Sequence, residues 1–113
     1  MKPLSANRMF YRNKNKTAEY RAYQDEVRDE MMGVDWPYAD APVSFKIKVG
    51  LSSKAADLDN VIKPLLDTFQ SIYDDFNDNK VYHIEAEKEI VDKGKEYLNV
   101  QVLQNELSEV QEQ

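Results

Sequence analysis

The sequence predicts a small α/β domain of the α+β kind, with two helices packed on a mixed β-sheet. Three observations carry that expectation. Apolar residues recur at helical spacing in two separate stretches, they alternate with polar ones in a third, and two further β-rich runs follow an acidic loop. In the first helical stretch Tyr20, Tyr23, Val27 and Met31 fall on one face, Thr17 is placed to cap the start, and Gly33 can close the end. Residues 33–42, punctuated by a glycine and two prolines, read as a loop. Val43, Phe45, Ile47 and Val49 then alternate with Ser44, Lys46 and Lys48, which is the pattern of a strand with one buried face. Its outward lysines, with Lys54 beyond them, could meet a phosphate backbone, although solvated lysines are the commoner reason for such alternation.

The second helix is expected over residues 57–73, begun by Asp57, Asp59 and Asn60 and given an apolar face by Ile62, Leu65, Leu66, Phe69 and Ile72. Pro64 stands near its first turn, where few backbone bonds are lost. An acidic loop (DDFNDN, residues 74–79) leads to a strand over about 80–89. Another follows over about 96–103, and Asp92-Lys93-Gly94 between them suggests a hairpin turn. The whole is expected as one domain over residues 1–103, opened by a basic arm over 1–16 and followed by an acidic tail over 104–113.

With 113 residues, 42% of them hydrophobic, the chain is long enough for one core and too short for two ordinary domains. It has no cysteine, so disulfides and thiolate zinc sites are excluded. Neither a signal peptide nor a membrane span is legible, and a reducing, cytoplasmic setting is the default expectation. The net charge of -6 speaks against nucleic acid as a partner only on average. Residues 1–24 hold six basic groups (Lys2, Arg8, Arg12, Lys14, Lys16 and Arg21) against Glu19 alone, a balance of +5, while the remainder carries -11. A basic arm for a phosphate backbone and an acidic pocket for metal would divide in this way; so would an ordinary solvated surface.

The most informative stretch is DLDNVIKPLLD, residues 57–67. Asp57 and Asp59 stand two residues apart at a loop-to-helix junction, where their oxygens can converge on a hard cation such as magnesium. Helix capping is the everyday use of aspartate at such a place. Lys63 follows Asp59 by four residues and precedes Asp67 by four, so it reads either as part of a salt-bridge ladder or as a cation reaching toward a phosphate. Asp78, before the next strand, offers a third carboxylate. Calcium loops fit poorly, because Lys80 and Ala86 occupy the positions that need glycine and glutamate when the loop is aligned on Asp75. His83 is the only histidine, and the three glycines form no phosphate-binding loop.

Taken together, Asn7-Arg8, then KAADLDNVIKPLLD (residues 54–67), then NDNKV (residues 77–81), resemble the RusA family of Holliday junction resolvases, common in phages and prophages. The specific part is D-x-D-N-x-x-K with a further aspartate before a strand, filled here by Asp57, Asp59, Asn60, Lys63 and Asp78. The resemblance implies a homodimeric endodeoxyribonuclease that resolves branched DNA by paired nicks. Asp57, Asp59 and Asp78 would hold Mg2+, with Mn2+ as a possible substitute, and Lys63 would be catalytic. Asn7, Arg8, Arg12, Lys14, Lys16 and Lys54 would contact the four-way junction. This chain departs from the family in having only six residues before Asn7, where a first strand is usual, and Ala56 where a basic residue often precedes the first aspartate. The alternative from another class is a non-catalytic acidic phage interaction module with the same fold.

Overall fold

The computed structural model describes residues 1–12 and 14–105. The expected acidic tail therefore lies almost wholly outside the described residues. Helix α1 (Ala18–Glu30) begins at Thr17, whose extended backbone leaves its side-chain oxygen free to accept from the Tyr20 N–H at 3.1 Å. Glu19 in its first turn and Arg28 in its last suit the helix dipole. Tyr20, Tyr23 and Val27 are buried, as their spacing predicts, and Gly33 just past the end takes a left-handed φ of +80°.

The rest of the order is β1 (Val43–Leu51), α2 (Ile62–Ile72), β2 (Val81–Ile90) and β3 (Tyr97–Gln104). Among the described residues this is a small α+β fold with two helices and a three-stranded mixed sheet. The second helix starts later than expected, because residues Leu58–Val61 form a separate 3-10 turn before α2. Strand order in the sheet is β2-β1-β3, with β2 parallel to β1 and β3 antiparallel to it. The expected hairpin is thus corrected. Asp92-Lys93-Gly94 does make a turn, with a Lys95 N–H to Asp92 O bond of 2.9 Å and Gly94 at φ +94°, but the strands on either side of it do not pair. They flank β1 instead. Among the three strands β1 has the most regular apolar face, so the central position buries most apolar area and satisfies both of its backbone edges.

Val43, Phe45, Ile47, Val49 and Leu51 project from β1 into the core. There Phe45 meets Phe69 of α2 edge to face at 5.5 Å and Phe76 at 5.9 Å, and Trp36 lies 4.8 Å from Phe76. Leu65 and Phe69 complete the contact from α2. The opposite face of the sheet is polar. Register places Glu85, Glu87 and Glu89 of β2 beside Lys46, Lys48 and Gly50 of β1. Lys48 pairs with Glu87 at 3.6 Å, and Tyr97, Glu87 and Glu89 together hold its ammonium above the ordinary lysine range. A column of acids so close makes this face a poor phosphate contact for Lys46 and Lys48.

Gly50 is required by that same face. A Cβ there would collide with the Tyr97 ring and press on Val91, because Tyr97 lies across the glycine with its hydroxyl donating to Glu89 at 2.9 Å. Gly50→Ala is expected to cost about 1–3 kcal/mol, measured as a lowered urea midpoint. An unchanged midpoint would mean that the ring turns aside freely.

The basic segment at the start is folded onto the domain. Leu4 and Met9 are buried in the core, Ser5 caps a 3-10 turn over Ala6–Arg8, and Thr17 donates from its N–H to Met9 O at 3.0 Å. A tight loop follows, closed by the Tyr11 N–H to Asn15 O bond at 2.9 Å and a bridge between Phe10 and Lys16. Its apolar residues were hidden among polar ones, which is why no period announced them.

Candidate metal and nucleic-acid site

At the end of the sheet where β1 finishes, a cleft of about 540 Å³ opens between the N-terminal segment and the loop leading to α2. Asn7 and Arg8 line it from the N-terminal segment and Asp57 and Asn60 from the loop and turn before α2, with Ser53 and Glu96 also in its lining. Two motifs some fifty residues apart in the sequence thus share one cavity. Arg8 is held there by Glu19, Nη1 to Oε1 at 3.1 Å. Glu96, which the sequence did not single out, also lines the cleft, together with Lys2 of the basic segment. Hydrogen bonds from its own backbone N–H and from the Ser52 hydroxyl keep the Glu96 carboxyl below the usual range. Nothing in the local pattern around Glu96 marks it in advance, because its place at the cleft follows from strand order.

Asp57 occupies the cap position of the Leu58–Val61 turn with an extended backbone, yet its side chain makes no cap bond. The everyday reason for aspartate at this position is therefore not in use. Asp59 lies one residue into the turn, and both residues are exposed. The 3-10 turn breaks the helical register between Asp59 and Lys63. Lys63 pairs instead with Asp67 at 3.2 Å, one helical turn on.

Asp78 sits elsewhere. It opens a 3-10 turn over Asp78–Lys80, and its N–H donates to Gln70 Oε1 at 2.9 Å, which fastens that turn to the C-terminal half of α2. The turn feeds Val81, the partner of Val43 at the start of β1, whereas Asp57 follows the end of β1 near Lys88. From Val81 to Lys88 the strand rises about 3.3 Å per residue, so roughly 20 Å of sheet separates the two regions. Consistently, the described residues contain no group of three histidine, cysteine or acidic side chains that could hold a metal ion. The structure brings Asp57 and Asp59 to one turn and leaves Asp78 at the other end of the sheet within the same chain.

Of the other candidates, Lys16 spends its ammonium on Gln24 Oε1 at 2.9 Å and stands 5.4 Å above the Tyr20 ring. Lys14 is exposed at a positive φ of 67°, Arg12 is exposed beside it, and Lys54 is exposed on the loop before Asp57. What fold and cleft define is a small α+β domain with a cleft of mixed charge at one end of its sheet. No family model matches the chain, and no curated protein matches it either. No helix among the described residues is long and apolar enough to cross a membrane.

Proposed function

We propose that the protein is a metal-dependent endodeoxyribonuclease that cuts four-way junctions and related branched DNA by paired nicks, working as a homodimer. The observation that carries this reading is the meeting of Asn7 and Arg8 with Asp57 and Asn60 in one open cleft. A backbone-binding cation in the same cleft as Asp57, a carboxylate that no cap bond consumes, suits phosphodiester chemistry better than it suits a structural role; Asp59 stands two residues on, outside the cleft lining. Oxygen donors of this kind fit magnesium, with manganese as a substitute. Bound there, the ion would supply the charge that orients a water and clamps the scissile phosphate.

In this reading Asp57 and Asp59 hold the ion, and Arg8 and Asn7 hold the DNA backbone. Lys54, Arg12, Lys14 and Lys16 extend the contact along the backbone. Lys63, exposed near the start of α2, would neutralise developing charge once it leaves Asp67. Asp78 is too far away to join the set in its own chain, and so it is assigned to the site of the second copy. The exposed Tyr82, Ile84 and Ile90 on β2, an edge strand, are apolar surface that a second copy would cover. A two-fold dimer with two sites matches the two equivalent strands of a junction.

Complementation tests the assignment. Asp57→Asn and Asp78→Asn, each inactive alone on a radiolabelled junction with Mg2+, should recover cleavage when mixed and allowed to exchange subunits. Half of the dimers would then be mixed, each with one intact site, so about a quarter of wild-type sites return. No recovery would confine the ligands to one chain, and a 13.2 kDa species in sedimentation would exclude the dimer. If the wild-type protein cuts no branched DNA, the second reading takes over: a non-catalytic acidic module. The column of Glu85, Glu87 and Glu89 on the uncovered sheet face favours it.

A further inference from the structure

We propose that Lys88 is a positioning residue for the Asp57 loop, a role that rests on the nuclease reading given above. Side chains of β2 that point toward the helices are Ile84, Ala86, Lys88 and Ile90, in register with Phe45, Ile47, Val49 and Leu51 of β1. Lys88 is the only charged member of that row and stands opposite Val49, which is fully buried. Its half-buried side chain does not turn out to an acid on the polar face. Instead Nζ donates to Ala56 O at 2.8 Å and to Lys54 O at 3.2 Å. These are carbonyls of the loop that ends in Asp57.

That loop has few other restraints. Ala55 N–H reaches Ser53 Oγ at 3.2 Å and Ala56 N–H reaches Ser53 O at 3.3 Å, both within the loop itself. Charge-assisted bonds from a regular strand are stronger than neutral ones, so Lys88 ties the loop to the sheet one residue before the first carboxylate. A metal ligand must be held to about 0.5 Å, and residues that hold ligands in place commonly set affinity by about 10–100-fold. A lysine on an edge strand can also serve simply to discourage strand addition. That role would leave the loop and the metal indifferent to its replacement.

The experiment compares wild type, Lys88→Met and Lys88→Arg. Methionine keeps the apolar stem and removes the donor; arginine keeps charge and donors. Lys88→Met is expected to raise the Mg2+ concentration for half-maximal junction cleavage about tenfold or more, with turnover at saturating Mg2+ largely kept. Mn2+ affinity by calorimetry should fall in parallel, amide exchange over residues 54–57 should quicken, and Lys88→Arg should restore most of each. Equal Mn2+ affinity and equal loop exchange in wild type and Lys88→Met, both folded by circular dichroism, would overturn the proposal. Failure of the nuclease reading looks different: wild type then binds Mn2+ without cutting DNA, and the Mn2+ comparison still decides the role of Lys88.

Discussion

Replacing Asp57 or Asp59 by asparagine is expected to lower magnesium-dependent cleavage of a four-way junction by about 10²–10³-fold while leaving the fold intact. Each substitution keeps shape and removes one negative charge. A metal ion is worth several kcal/mol of transition-state stabilisation, and about 1.4 kcal/mol corresponds to a factor of ten, so weakening its grip is felt at that scale. Stability should hardly move. Both residues are exposed, Asp57 makes no cap bond, and surface changes away from such bonds usually stay within about 0.5 kcal/mol. Junction binding in a gel shift without metal should be retained, since the backbone contacts are assigned to Arg8 and its neighbours. Cleavage at the wild-type rate by either variant would sink the assignment of this pair as the metal site. Cleavage lost together with a lowered thermal midpoint would point to a structural role instead.

Phe45→Ala is expected to be the most damaging single change to the fold. The ring is fully buried on the central strand and meets Phe69 and Phe76 from the helix side. Truncating such a residue costs about 3–5 kcal/mol, from lost transfer energy and from the cavity that stiff neighbours on α2 cannot close. Domains of this size are stable by only about 5–15 kcal/mol, so the variant would retain a fraction of the whole. At about 4 °C per kcal/mol, its thermal midpoint should fall by roughly 12–20 °C. A fall of a degree or two by differential scanning calorimetry would mean that Phe69, Phe76 and Trp36 repack into the space. Phe45→Leu, which keeps most of the volume, should recover much of the loss.

Local structure was legible in the sequence because its causes are local. Thr17 caps α1 by bonding an N–H three residues on, Gly33 takes the left-handed conformation, and the alternation from Val43 to Val49 marks β1, all as expected from spacing alone. The fold class followed from the same patterns. The boundary at Asp57 was less accurate, since the interval between Asp59 and Lys63 allows a continuous helix and the chain makes a 3-10 turn there instead. Helical periodicity carries no mark of that change.

What the sequence determined by itself is thus the set of helices and strands and the carboxylate and lysine motif between β1 and α2. Tertiary structure alone decided which elements touch. The Asp92-Lys93-Gly94 turn predicts a hairpin of paired neighbours, but a turn fixes only the direction of the chain, and β1 takes the place between β2 and β3 because its apolar face belongs at the centre of the core. Strand order then sets the relations among the sheet's own residues at the site. It carries Glu96 to the cleft, puts Lys88 beneath the loop of Asp57, and sends Asp78 to the far end of the sheet through a helix that runs back along β1. Proximity in sequence could not separate Asp78 from Asp59, because eleven residues of α2 turn a short chain interval into the length of the sheet.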